Sequence, residues 1–260
     1  MNDLRITSIQ TDIIWENTEA NLNKQQITLQ KLKGTTDLVV FPEMFTTGFS
    51  MDSPNLAEPE NGETISRLKY YAEIYELALT GSFICSRNGK FYNRGFFIKP
   101  DNEISFYDKR HLFRMGKENQ SFSAGQQQTI ISYKDWNICL SICYDLRFPV
   151  WLRNNNTRYD LLIVSACWPQ PRISVWDILL RARAIENQAY ICGVNRIGYD
   201  PSGRYYPGHS AVIDPKGEII QSTPEGKETC ITTTLSAEKL TTFRQKFPVL
   251  QDADSFSIHI

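Results

Sequence analysis

Three residues with complementary chemistry each close a short apolar run in this 260-residue chain: Glu43 in DLVVFPE, Lys109 in ISFYDK and Cys143 in NICLSIC. A carboxylate, an ammonium and a thiol suffice for two-step acyl transfer. An unperturbed thiol has a pKa of about 8.5, so only a minor fraction is thiolate near neutrality. A neighbouring lysine lowers that value, and a carboxylate can instead accept the proton as sulfur attacks. The lysine, with a backbone N–H just after the nucleophile, can also stabilise an oxyanion. The carboxylate can then protonate departing ammonia and activate water against the thioester. Each residue has an ordinary reading too. A cysteine after a strand is more often a small buried hydrophobe. Glu43 after a proline fits a loop carboxylate or helix cap, and Lys109 in Asp108-Lys109-Arg110 fits a solvated surface charge.

The elements that must position these residues alternate between strand-like and helix-like patterns. Leu4 to Gln10 alternates as a half-buried strand does. Asn17 offers a helix cap, Leu22, Leu29 and Leu32 recur at helical spacing, and Gly34 supplies the stop. Asp37 to Phe41 is a continuous apolar run ended by Pro42, as expected of a strand covered on both faces. A second helix fits Glu63 to Leu77, and strands are expected at 78–86, 95–99 and 104–107. The polar stretch Gly116 to Gln128 reads as a functional loop. Strands at 130–133 and 136–142 follow, the second running directly into Cys143. A strand at 161–165, a helix at 176–188 and a strand at 191–194 complete another alternation. Strands at 211–213 and 218–220 flank the turn Asp-Pro-Lys-Gly, and a late helix is expected at 237–245. This order predicts stacked α/β layers in one domain spanning 1–260. The hairpin-rich middle argues against a purely parallel doubly wound sheet.

Bulk properties narrow the function. Hydrophobic residues make up 41% and charged residues 22%, with a net charge of −1. That balance provides no basic field for nucleic acid or anionic lipid. No apolar run approaches the roughly 20 residues that span a bilayer, and the start lacks the layout of a signal peptide. The cysteines at 85, 139, 143, 167, 192 and 230 form neither a disulfide framework nor a zinc pattern. Reduced thiols in a cytoplasmic protein, with no metal or cofactor, are the expectation.

The segments FPEMFTTGF (Phe41–Phe49), YDKRHLF (Tyr107–Phe113) and CYDLRFP (Cys143–Pro149) resemble the three signature segments of the nitrilase superfamily of carbon–nitrogen hydrolases. RARAIENQAY and GHSAVIDPKGEII support the likeness, which covers essentially the whole chain. The resemblance implies a four-layer αββα sandwich of that type. It implies a catalytic set carried onto Glu43, Lys109 and Cys143, with a second glutamate for which Glu118 is the best match. Tyr144 resembles the residue whose backbone N–H faces the oxyanion. Homodimers are implied as well.

Within the superfamily, HLFRM, CYDLRFPVW, WPQPR and the late QDAD resemble bacterial omega-amidases. The resemblance implies an amide substrate and water as partners: 2-oxoglutaramate or 2-oxosuccinamate, formed by glutamine-dependent transamination and in methionine salvage. The far carboxylate of such a substrate demands a cation or several donors. Arg172 and Arg196 are the candidates, whereas Arg147 better fits an ion pair with Asp145 or Glu186. Phe45 and Trp168 are expected to wall the pocket. His111, His209 and His259 carry structural readings, and Cys139 reads as a buried strand thiol. Competing activities are nitrile, carbamoyl or deaminated-glutathione hydrolysis, or a binding protein that has lost catalysis.

Overall fold

The computed structural model describes residues 1–258; His259 lies outside them. In chain order the first elements are β1 (Leu4–Gln10), α1 (Thr18–Leu32), β2 (Leu38–Val40), α2 (Ser53–Leu56), β3 (Glu58–Pro59), α3 (Glu63–Tyr75), β4 (Ala78–Arg87), β5 (Lys90–Ile98) and β6 (Ile104–Asp108). Then come α4 (Glu118–Ser121), β7 (Ile130–Tyr133), β8 (Trp136–Ile142), β9 (Leu161–Ala166), α5 (Ile173–Asn187) and β10 (Tyr190–Asn195). The last are β11 (Ile197–Tyr199), β12 (Tyr205–Pro207), β13 (Ala211–Ile213), β14 (Ile219–Ser222), β15 (Thr229–Leu235) and α6 (Ala237–Lys246).

One sheet has the order β15-β1-β2-β4-β5-β6, with β3 on β4, and the other runs β14-β13-β10-β9-β8-β7. Their facing sides form one core: Leu4, Ile6, Ser8, Leu38, Val40 and Phe97 of the first sheet face Trp136, Ile138, Leu161 and Cys192 of the second. On the outer side of the first sheet, Leu22 and Leu29 of α1 and Ile65, Leu68 and Ala72 of α3 pack on Ile9, Val39 and Leu79. On the outer side of the second, Trp176 and Leu180 of α5 pack against Gly193 of β10, and Ala184 joins the same core. These are the four αββα layers. Burying these faces is the main stabilising term, at about 25 cal/mol per Å² of apolar surface.

The local signals act as their chemistry dictates. The Asn17 side chain accepts from Ala20 N at 3.0 Å and caps α1, and Gly34 turns the chain at φ +75°. Strand β1 departs from the half-buried expectation: every residue except Arg5 is buried, because helices cover one face and the second sheet the other. α3 stops at Tyr75, with Glu76 in the left-handed region, since Leu77 is needed in the core ahead of β4. β5 begins five residues before the expected start at Gly95. β11, β12 and β15 gave no sequence signal. β15 is short of apolar alternation, and its register with β1, Leu4↔Leu235 to Gln10↔Thr229, comes from tertiary pairing.

Strand direction explains why the site exists. β1, β2 and β4 are parallel; β5 reverses and β6 reverses again, so β6 runs with β2. In the other sheet β8, β9 and β10 are parallel. The carboxyl ends of β2, β6, β8 and β9 therefore deliver Glu43, Lys109, Cys143 and Cys167. Among the described residues no helix is long and apolar enough to cross a membrane.

Candidate active site

The three strand-end residues and the loop glutamate converge. Lys109 Nζ lies 2.7 Å from Glu43 Oε1 and 2.9 Å from Glu118 Oε2, and all three side chains are 0% exposed. Asn93, in the middle of β5, donates its amide to Glu43 at 2.7 Å and to Glu118 at 3.0 Å. The other Glu43 oxygen accepts from Cys167 N at 2.9 Å, which ties the first sheet to the second. Glu118 also accepts from Phe113 N at 2.6 Å. Desolvating such charges separately costs several kcal/mol each, and mutual pairing with hydrogen bonds offsets it. The polar stretch 116–128 thus contains a short helix, α4, that places Glu118 against the lysine. Gly125 supports the same strand end by donating to Lys109 O at 2.9 Å, where any side chain would strike the Asp108 carbonyl.

Burial by itself would discharge Lys109, but the charges of Glu118 and Glu43 overcome it and hold the ammonium well above its usual range. The Glu118 carboxyl is pushed up by burial, which the lysine only partly opposes, and the charge of Glu43 adds to the rise. Lys109 is therefore a fixed cation rather than a proton donor.

Cys143 follows β8 with φ +47°, in the left-handed region that non-glycine residues rarely adopt. Such strain concentrates at functional positions. The residue opens a 3₁₀ turn, Cys143–Arg147, so the N–H of Tyr144 lies in a first turn that has no acceptor of its own. Lys109 lowers the Cys143 thiol pKa as expected, but it is outweighed. Burial pushes Cys143 well above the ordinary value, Glu43 pushes it further, and Lys109 offsets only part of this. Attack by such a thiol would require a base at the moment of reaction, and the carboxylate of Glu43 is the group in this cluster that could accept its proton.

Cys143 opens into a cavity of about 280 Å³. Phe49, Phe113, Tyr144, Trp168 and Tyr206 form its aromatic walls, and Arg147, Arg172 and Arg204 also line it. The Trp168 indole donates to Arg172 O at 2.7 Å. Its backbone is held by Asn195, which accepts from Trp168 N at 2.7 Å and donates to Trp168 O at 2.9 Å.

Several expectations are corrected. Phe45 does not line the cavity; it stacks on Phe41 at 4.6 Å within the outer core, because the turn after Pro42 sends Glu43 inward and Phe45 back under the sheet. Arg196 is also outside it, paired with Asp12 at 2.9 Å and resting on Tyr206. Arg147 pairs with neither Asp145 nor Glu186. Its guanidinium lies over Trp168 at 5.2 Å, Glu186 is paired with Arg183, and Asp145 is bound by backbone and side-chain donors around the cysteine turn. Asn93 and Arg204 were missed. The polar pair Asn93-Arg94 inside the aromatic-rich FYNRGFFI was the available signal for Asn93, whereas nothing in the spacing singles out Arg204. His209 bonds Asp177 at 3.1 Å, and Cys139 is buried in β8. Among the described residues no cluster of three or more His, Cys, Asp or Glu side chains could hold a metal.

Comparison with known proteins matches this geometry. The carbon-nitrogen hydrolase family model matches residues 5–245. The chain is 41% identical to omega-amidase YafV of Escherichia coli over 99% of this chain and 100% of that protein. It is 31% identical to the 2-oxoglutaramate amidase of Bacillus subtilis over 95% and 96% of the two chains. Its structure superposes on XC1258 of Xanthomonas campestris, a CN-hydrolase superfamily protein with an arsenic adduct in the active site, with a TM-score of 0.97 and 38% identity over 100% of both chains. The chain belongs to the carbon-nitrogen hydrolase family.

Proposed function

We propose that this hydrolase is an omega-amidase that converts 2-oxoglutaramate or 2-oxosuccinamate to the 2-oxo diacid and ammonia. The observation that carries the reading is the charge of the cavity wall. Three guanidiniums and no acidic side chain line the space in front of Cys143. Arg172 lies over the Phe113 ring at 5.0 Å and forms no ion pair among the described residues. Burial first, and then the cations of Arg204 and Arg147, lower its pKa. A carboxylate placed there relieves that strain and gains charge-assisted hydrogen bonds. The names of the two similar amidases support the same substrate class.

In this reading Glu43 takes the Cys143 proton as sulfur attacks the amide carbon. Lys109 and the Tyr144 N–H hold the oxyanion. Glu43 returns the proton to nitrogen, ammonia leaves, and a thioester remains. Water then gives a proton to Glu43 and attacks the thioester, releasing the acid and restoring the thiol. Glu118 and Asn93 keep Lys109 and Glu43 in register, while Arg172 and Trp168 hold the far end of the substrate.

The chain is proposed to act as one domain and as a homodimer. Ile178 and Ile185 of α5 and Ile219 of β14 are 66%, 53% and 52% exposed around a shared groove, an apolar face suited to a second copy. The unpaired cysteines fit the proposed cytoplasmic setting, where the enzyme would act after glutamine-dependent transamination and in methionine salvage. The test is an ammonia-release screen across 2-oxoglutaramate, 2-oxosuccinamate, glutamine, a nitrile, an N-carbamoyl amide and deaminated glutathione. The 2-oxo acid amides should lead, and a clear preference for the nitrile would overturn the assignment.

A further inference from the structure

Asp145 lies beneath the nucleophile turn and is completely buried. One oxygen accepts from Tyr107 Oη at 2.7 Å and from Ile142 N at 3.1 Å. The other accepts from His111 N at 2.9 Å and His111 Nδ1 at 2.8 Å. The imidazole must therefore carry its proton on Nδ1, since a carboxylate can only accept. The Tyr107 hydroxyl accepts in turn from Trp151 Nε1 at 3.0 Å and Arg110 N at 3.3 Å. The His111 ring stacks on Phe148 with centroids 3.7 Å apart and planes 6° from parallel.

The chain positions of these donors give the arrangement its meaning. Tyr107 and His111 bracket Lys109 two residues to either side, and Ile142 immediately precedes Cys143. One carboxylate thus joins the strand end carrying the lysine to the strained turn carrying the thiol, although β6 and β8 belong to different sheets. The left-handed backbone of Cys143 has to be held by its surroundings, and the bond to Ile142 N acts one residue away.

We propose that Asp145 and His111 are positioning residues that set the distance between the Lys109 ammonium and the Cys143 sulfur. The inference rests on Cys143 being the nucleophile. His111 acts through Asp145: its ring hydrogen bond fixes the carboxylate, and the carboxylate fixes the turn. A displacement of about 1 Å between reacting groups costs roughly 100-fold in rate, and the effect falls on turnover because the cavity wall that binds substrate is untouched.

Two His111 variants separate hydrogen bonding from packing. His111→Asn keeps an amide donor for Asp145 and loses the ring; His111→Phe keeps a ring on Phe148 and loses the donor. The expected result for His111→Phe is a kcat lower by about 10- to 100-fold with KM within about twofold. His111→Asn should recover most of that kcat. Asp145→Asn should show the same split more strongly, in protein whose melting transition stays cooperative. Equal kcat in the two His111 variants, or a better enzyme in His111→Phe, would overturn the proposal. Cys143→Ala, measured alongside, tells the two readings apart. If it retains turnover, the nucleophile assignment fails; if it is inactive while His111→Phe matches the parent, only the positioning role fails.

Discussion

The two charged regions of this site are built in opposite ways. Behind Cys143, Glu43, Lys109, Glu118 and Asn93 satisfy one another and are shut off from water. In front of it, Arg147 and Arg172 rest on aromatic rings without carboxylate partners among the described residues. Arg204 has only a 3.8 Å approach to Asp200, which is already bound by Ser202, Tyr206 and the Arg204 backbone. The difference teaches which groups are complete before substrate arrives. In the proposed mechanism the cluster is preorganised for charge that develops during reaction. The wall has no acidic side chain, and in the proposed function the substrate carboxylate supplies the missing charge.

This contrast predicts that changes in the two regions fail differently. Lys109→Met should be the most damaging, because it leaves two buried carboxylates unpaired. A stability loss of about 3–5 kcal/mol in urea unfolding is expected, with kcat reduced at least about 100-fold through the lost oxyanion partner. Retention of parental stability would show that the cluster is not the paired unit described. Arg172→Met should leave the melting temperature nearly unchanged, yet lower kcat/KM for 2-oxoglutaramate by roughly 10- to 100-fold, the worth of a charge-assisted hydrogen bond. The same variant should hydrolyse a neutral short amide like the parent. An equal loss on both substrates would move Arg172 out of carboxylate recognition.

Glu118→Gln should reduce kcat less than Lys109→Met and cost less stability, since the burial that raises the carboxyl pKa makes its charge expensive. A matched pair of denaturation curves checks this. The smallest expected effect lies outside both regions. Asp37 is held down at about 2 against an ordinary 3.8, burial being outweighed by bonds from Arg5 and Lys134. A depressed carboxyl contributes stability above its unfolded value, and that contribution is lost as pH falls through the folded one. Asp37→Asn should therefore lower the melting temperature at neutral pH but narrow the gap to the parent between about pH 4 and 2. A constant gap across that range would contradict the assignment.

Sequence reading succeeded where side-chain placement follows from strand ends. DLVVF, ISFY and NICLSI lead within two residues to Glu43, Lys109 and Cys143, and a strand end leaves little choice of direction, so these three positions were legible. Legibility stopped where a turn decides the aim. Phe45 and Met44 follow Glu43 closely, yet the φ of +44° at Met44 sends the chain under the sheet and Phe45 into the core. Arg147 and Arg196 illustrate the same limit in opposite senses: the 3₁₀ turn after Cys143 brings the first to the cavity, and pairing with Asp12 keeps the second away. Asn93 faces Glu43 only because β5 begins early and runs antiparallel to β4, which a pattern centred on Gly95 does not convey. The layers were readable from alternating elements, whereas β15 owes its place to β1 rather than to its own weakly patterned residues.

The most direct test of thioester chemistry at Cys143 is acid quenching of the wild-type enzyme during its first turnover of 2-oxoglutaramate, followed by peptide mass spectrometry. The account predicts a transient 2-oxoglutaryl group on the Cys143 peptide that appears with ammonia and decays with the free diacid. Ammonia released without any acyl group on Cys143, or with the group on Cys167 instead, would contradict it.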